Sequence, residues 1–142
     1  MLGPPAIPSS SLLLLPKKRL LLSWTQAMEA ILQLGIEGAP EEQCGVMVPY
    51  LANDCFDGVG WEITRLANRA ENKTRGYAID PETIAQMVDS PKSWSEVRVW
   101  HTHPRGNVGP SDGDMIYAQP GVKYVVVAVP SGEWREFSRR TL

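Results

Sequence analysis

The run Lys123-Tyr124-Val125-Val126-Val127-Ala128-Val129 constrains the fold of this 142-residue chain more than any other segment. It is strongly apolar and rich in β-branched side chains, which fit a pleated surface covered by neighbouring layers, so it reads as a central strand. Val97 to His101 has the same buried pattern. Cys44 to Tyr50 and Val59 to Leu66 read as two further strands, joined by a loop carrying Asn53, Asp54, Asp57 and Gly58. Arg19 to Leu22 and Tyr77 to Ile79 are predicted as short strands. Ser131 and Gly132 turn the central strand into Glu133 to Phe137, a terminal hairpin.

Three helices fall between these strands. Ser23 and Gln26 form a capping-box pattern opening a helix over Trp24 to Leu34, with Ala27, Ile31 and Leu34 at helical spacing and Gly35 as its expected stop. Asp80 is placed to cap a second helix, with Pro81 at its first position, running to about Val88. A short third helix follows Ser111. The order β-α-β-β-β-α-β-α-β-β predicts an α/β domain: a single mixed, mostly antiparallel sheet flanked by helices.

Length and composition narrow the function classes. The chain is the size of one domain, and 43% hydrophobic with 21% charged residues is a globular composition. With a net charge of −2 and scattered Lys and Arg, the chain lacks the basic footprint of a nucleic-acid binder. Cys44 and Cys55 form no CxxC pair, which fits a reducing compartment. No stretch approaches the roughly 20 apolar residues that span a bilayer. Residues 1–17, Pro/Ser-rich at the start, read as a disordered tail, and residues 18–142 as the domain. Leu12 to Leu15 precede the charges Lys17, Lys18 and Arg19, the reverse of a secretory signal.

The chemistry concentrates in His101-Thr102-His103-Pro104-Arg105-Gly106-Asn107-Val108-Gly109-Pro110-Ser111-Asp112-Gly113-Asp114. The only two histidines of the chain lie here, at a strand end. The strand period of two puts both imidazoles on one face, within reach of one ion. Imidazole suits zinc, and a carboxylate as third ligand would leave an open catalytic position. Asp114 is the natural candidate, since a turn at Gly109-Pro110 brings the next helix back over the strand end. Plainer readings stand beside these. Isolated His-x-His pairs occur as surface coincidences, Ser111-x-x-Asp114 is a capping-box pattern, and Arg105 is a solvated loop charge. A hydrolytic site also needs a general base. Glu41 and Glu42 precede the Cys44 strand, where they also read as an exposed acidic loop.

Taken together, His101-x-His103, Ser111 and Asp114, preceded by Glu42-Gln43-Cys44-Gly45, resemble the signature of the JAMM (MPN+, Mov34-like) metalloproteases. The resemblance covers Trp24 to Phe137 and implies the three-layer, cytidine-deaminase-like core of that family. It implies zinc as cofactor, with His101, His103 and Asp114 as ligands and Glu42 as the base that handles the proton of the attacking water. It implies that Ser111 stabilises the oxyanion, and it favours Glu42 over Glu41. Cys44 falls where the family has a small buried residue, which points to core and not nucleophile.

The compact layout, Ala70-Glu71-Asn72 and the terminal hairpin are similar to the prokaryotic and phage branch, in particular the JAMM domain of lambda-like tail assembly protein K. The expected activity is therefore zinc-dependent peptidase or isopeptidase hydrolysis of an amide bond, in the setting of phage tail assembly or maturation. The expected partners are a protein or peptide substrate, either tail components or a ubiquitin-like protein, with no nucleic acid and no membrane. The expected location is cytoplasmic, of the host cell for a phage-encoded protein. The alternative is a non-catalytic scaffold or interaction domain of the same fold.

Overall fold

The computed structural model describes residues 21–53, 56–83 and 96–139. Helix α1 (Trp24–Gly38) is followed by strands β1 (Cys44–Asn53), β2 (Phe56–Leu66) and β3 (Arg98–His103). Helix α2 (Asp112–Tyr117), β4 (Lys123–Ala128) and β5 (Trp134–Ser138) complete the order. The strands form one five-stranded sheet in the order β2-β1-β3-β4-β5. Three of its pairings are antiparallel and β3–β4 is parallel, so the mixed, mostly antiparallel sheet expected from the sequence is what forms. β4 lies inside the sheet, and β3 takes the middle place.

Strand alternation gives the sheet two different faces. On one, α1 lays Ala27, Met28 and Ile31 over Met47, Trp100, Val125 and Val127. On the other, Val46, Val48, Val97, Val99 and Tyr124 pack with Ala118 and Val122. His101 and His103 follow Val99 on this second face by the same period of two. Helix α1 begins as expected: the Ser23 side chain accepts from the Gln26 N–H at 3.1 Å, and the Gln26 side chain accepts from the Ser23 N–H at 2.9 Å.

Two expectations are corrected. Gly35 does not stop α1, which runs on to Gly38. Gly35 is instead where the helix comes closest to the sheet, since a Cβ there would lie 2.7 Å from a Val129 methyl and 2.9 Å from Thr102. Tyr77 to Ile79 forms no strand. The β1–β2 hairpin is also longer than expected, because Asn53 pairs with Phe56 and draws Asp57 and Gly58 into β2.

Other expectations fall at the edge of what is described. Of the predicted first strand, Leu22 makes an isolated antiparallel bridge to Trp61, and Arg19 and Leu20 lie outside the described residues. The second helix starts at Pro81, with Asp80 accepting from the Glu82 N–H at 3.0 Å, and its continuation lies outside them too. So do the tail, Asp54 and Cys55. Among the described residues, no helix is long and apolar enough to cross a membrane.

Candidate metal centre and active site

The site is assembled where β1 begins and β3 ends. Antiparallel pairing sets Cys44 opposite His101 and Gly45 opposite Trp100. Gly45 leaves no room for a side chain, because a Cβ would run into the Thr64 carbonyl of β2 and lie 2.7 Å from the Trp100 ring. Beyond the strand, the Gln43 N–H donates to the Thr102 hydroxyl and the Thr102 N–H donates to the Gln43 carbonyl, both at 2.9 Å. The same progression carries Glu42 toward His103. Glu42 is 6% exposed, whereas Glu41 lies on the surface. Ligand atoms of Glu42, His101 and His103 all lie within 4.8 Å of one another.

Asp114 reaches the same point from α2. The capping box forms as expected: the Asp114 N–H donates to the Ser111 hydroxyl at 3.0 Å, and the Ser111 N–H donates to Asp114 Oδ2 at 2.9 Å. That carboxylate oxygen is also 3.1 Å from Nε2 of both His101 and His103. The two Nε2 atoms are themselves 3.1 Å apart. The capping reading of Ser111-x-x-Asp114 and the convergence on the histidines are therefore one arrangement. Arg105 is an exposed loop residue.

The donor set fits a divalent metal. His103 Nδ1 is 2.8 Å from the Asn107 carbonyl. A carbonyl only accepts, so Nδ1 carries the proton, and in the neutral ring Nε2 presents a lone pair to the cluster. Asp114 Oδ2 is likewise an acceptor, so it and His103 Nε2, each 3.1 Å from His101 Nε2 and from one another, call for a proton or a metal ion between them. Tetrahedral zinc, with bonds of about 2.0–2.1 Å, holds its ligand atoms about 3.4 Å apart, close to the spacing seen here. Buried Glu42 Oε1 has no hydrogen-bond partner among the described residues.

The electrostatics follow from this crowding. Burial pushes the Glu42 carboxyl up to about 7, with His103 opposing and Asp114 adding to the rise. Burial would also raise Asp114, but its side-chain contacts with His101 and His103, the charge of His101 and the Ser111 N–H outweigh it and hold Asp114 well below the usual carboxylate range. Burial lowers fully buried His101. For His103 burial pulls the same way, but the bonds to Asp114 and the Asn107 carbonyl prevail and raise it. Cys44 is wholly buried, donates its thiol to the Leu66 carbonyl at 3.7 Å and is pushed up by burial to about 12. A thiol so held is a core residue and a poor nucleophile.

Three participants were not legible in the spacing. Tyr77 stacks on the His101 ring, with centroids 4.3 Å apart and planes at 21°. Asn107 sets the His103 tautomer through its backbone, which any residue type could do. Asn68 braces the loop that carries Tyr77. Beside the site opens a cleft of about 890 Å3 whose lining includes Tyr77, Val99, Ser111, Asp114, Tyr117 and Tyr124.

The mixed sheet thus brings two histidines from the end of β3 together with Asp114 from α2 and the buried Glu42. The family model for prokaryotic homologs of the JAB domain matches residues 25–140, and the chain belongs to that family. Among solved structures, the chain is similar to the solution structure of a protein from Salinibacter ruber. The identity is 23%, over 80% of this chain and 78% of that one, with a TM-score of 0.48. No curated protein matches the chain.

Proposed function

We propose that this domain is a zinc-dependent peptidase or isopeptidase that hydrolyses an amide bond. The observation that carries this reading is the meeting of His101 Nε2, His103 Nε2 and Asp114 Oδ2 at 3.1 Å beside a buried Glu42 oxygen that has no partner among the described residues. In this reading His101, His103 and Asp114 hold the ion. Zinc bound there supplies Lewis acidity and a water that is acidic near neutral pH. Glu42 takes the proton of the attacking water and returns it to the leaving amine, a role suited to a carboxylate that titrates near 7. Ser111 uses its oxygen as acceptor in the cap, which leaves its O–H free to donate to the developing oxyanion. The apolar cleft next to Asp114 takes the substrate chain. Tail proteins of a phage and ubiquitin-like proteins are the substrate classes we put forward.

Metal analysis combined with a cleavage panel tests the proposal. The purified chain is expected to hold about one zinc, as three protein ligands plus an open position require, and His101→Ala with His103→Ala to lose it. Cleavage is to be read on ubiquitin-like fusions, tail-protein fragments and cell-wall peptides. Full zinc retention in the double variant would refute the site. A zinc-loaded protein that leaves the whole panel intact favours the scaffold reading instead.

A further inference from the structure

We infer that Asn68 is a positioning residue that holds Glu42 against the histidine pair; the inference rests on the role proposed for Glu42 above. Asn68 lies two residues past the end of β2, outside every element and away from the ligand set. An asparagine side chain has two N–H donors and an oxygen with two lone pairs. Here all four are used. The amide nitrogen donates to the Glu42 carbonyl at 2.9 Å and to the Gly76 carbonyl at 3.0 Å. The amide oxygen accepts from the Ala70 N–H at 3.0 Å and the Ala78 N–H at 3.1 Å.

The pattern ties Glu42, which lies outside the β1 ladder, to the loop that follows β2. Glu42 precedes β1, so no ladder hydrogen bond fixes it. Its carbonyl is held by Asn68, and its N–H donates to the Lys73 carbonyl at 2.7 Å, inside the loop that Asn68 closes. Both backbone groups of Glu42 are therefore held by the 68–78 loop. That loop also delivers Tyr77 onto the His101 ring. Together with the backbone bonds from Glu42 to Lys73 and from Arg69 to Ala78, this amide ties the Glu42 backbone to the loop that covers His101. A half-buried glutamine, serine or histidine could not make the same four bonds, because none combines two donors with an oxygen at this reach.

Asn68→Asp separates positioning from general support. It keeps the shape and the acceptor oxygen for Ala70 and Ala78, but sets a carboxylate oxygen against the Glu42 and Gly76 carbonyls. In metal-stripped protein, amide exchange at Glu42 is expected to rise about tenfold or more, with Trp100 and Val125 to Val127 unchanged, as loss of a local brace requires. With Co2+ as the bound probe, the visible spectrum of Asn68→Asp is expected to shift as it does in Glu42→Gln, with no further change in the double variant.

Unchanged exchange at Glu42 overturns the inference. So does faster exchange with a native cobalt spectrum, when Glu42→Gln alone does shift that spectrum, since Asn68 would then brace only the loop. A native chain that takes up no cobalt sinks the function proposed above, and the exchange measurement by itself then decides whether Asn68 holds Glu42. If Asn68→Asp does not fold, Asn68→Ala, which removes the bonds without adding charge, carries the same comparisons.

Discussion

The two faces of the central sheet are built from alternate residues of the same strands and do opposite work. Beneath α1, Met47, Trp61, Trp100, Val125 and Val127 make an apolar interior in which the Trp100 indole N–H donates to the Val46 carbonyl at 3.2 Å. On the other face the same β3 strand sets His101 and His103 into nearly complete burial, facing Glu42 and Asp114. Apolar burial on the first face favours folding with no charge to desolvate. The second face crowds ionisable groups together, which costs stability unless a cation or proton joins them. One face holds the strands still, and the other uses that rigidity to keep reactive groups close.

The contrast can be broken most severely from the apolar side. Trp100→Ala removes the largest fully buried side chain among the described residues, and with it about 4 kcal/mol of stability in denaturant unfolding. Metal stoichiometry per folded molecule is expected to stay native. Loss of metal at full foldedness would show that the two faces are not independent.

On the reactive side, Glu42→Gln is expected to cut turnover on a cleaved amide by roughly a hundredfold or more while zinc stays bound. In metal-stripped protein the same change should raise stability. A carboxyl moved from 4.5 to about 7 by burial keeps its proton in the fold where the unfolded chain has released it. Native stability therefore falls as pH rises across that window, and the glutamine removes the slope. Thermal unfolding is expected to show little gain near pH 4.5 and a gain on the order of 2 kcal/mol above pH 7. A variant less stable than the native chain at pH 8 would contradict the cost assigned to this face.

The boundary between α1 and the sheet is tested by Gly35→Ala. The new methyl would press on Val129 and Thr102, so a loss of about 2 kcal/mol is expected in place of the gain that alanine brings to an open helix position. The smallest change is Ser111→Ala, which removes the cap acceptor and about 1 kcal/mol of stability. If the hydroxyl also serves the oxyanion, turnover per folded molecule falls by roughly a hundredfold as well. A stable, zinc-loaded Ser111→Ala protein with native turnover leaves it only the cap.

What the sequence made legible was local and periodic. The capping boxes at Ser23 and Ser111, the alternation that puts His101 and His103 on one face, and the interior place of the Lys123–Val129 run all follow from spacing within a few residues. What it hid depends on contacts between distant segments. Gly35 looks like a helix stop because glycine ends helices, but Thr102 and Val129, more than sixty positions on, make it a packing contact. Tyr77 to Ile79 looks like a strand because its residues are apolar, yet Tyr77 is held by a ring and not by a ladder. The choice between Glu41 and Glu42 needed the family resemblance, since their opposite burial, Glu42 inside and Glu41 on the surface, is not written in the local sequence. Asn68 carried no signal at all, since its four partners are backbone groups of any residue type.

Asp114 Oδ2 closes the capping box of α2 and meets both histidines with the same oxygen. With Asp114 as an ion ligand, as proposed above, helix integrity and ion affinity would be thermodynamically linked. An ion on that oxygen selects conformers in which the first turn of α2 is wound, and stabilises them in proportion to the logarithm of its free concentration. By reciprocity, any change that frays the turn weakens the ion by the same factor. The chain beyond Asp114 runs through Met115, Ile116 and the 80% exposed Tyr117, so in that reading ion occupancy would also bias how this apolar edge is presented to solvent.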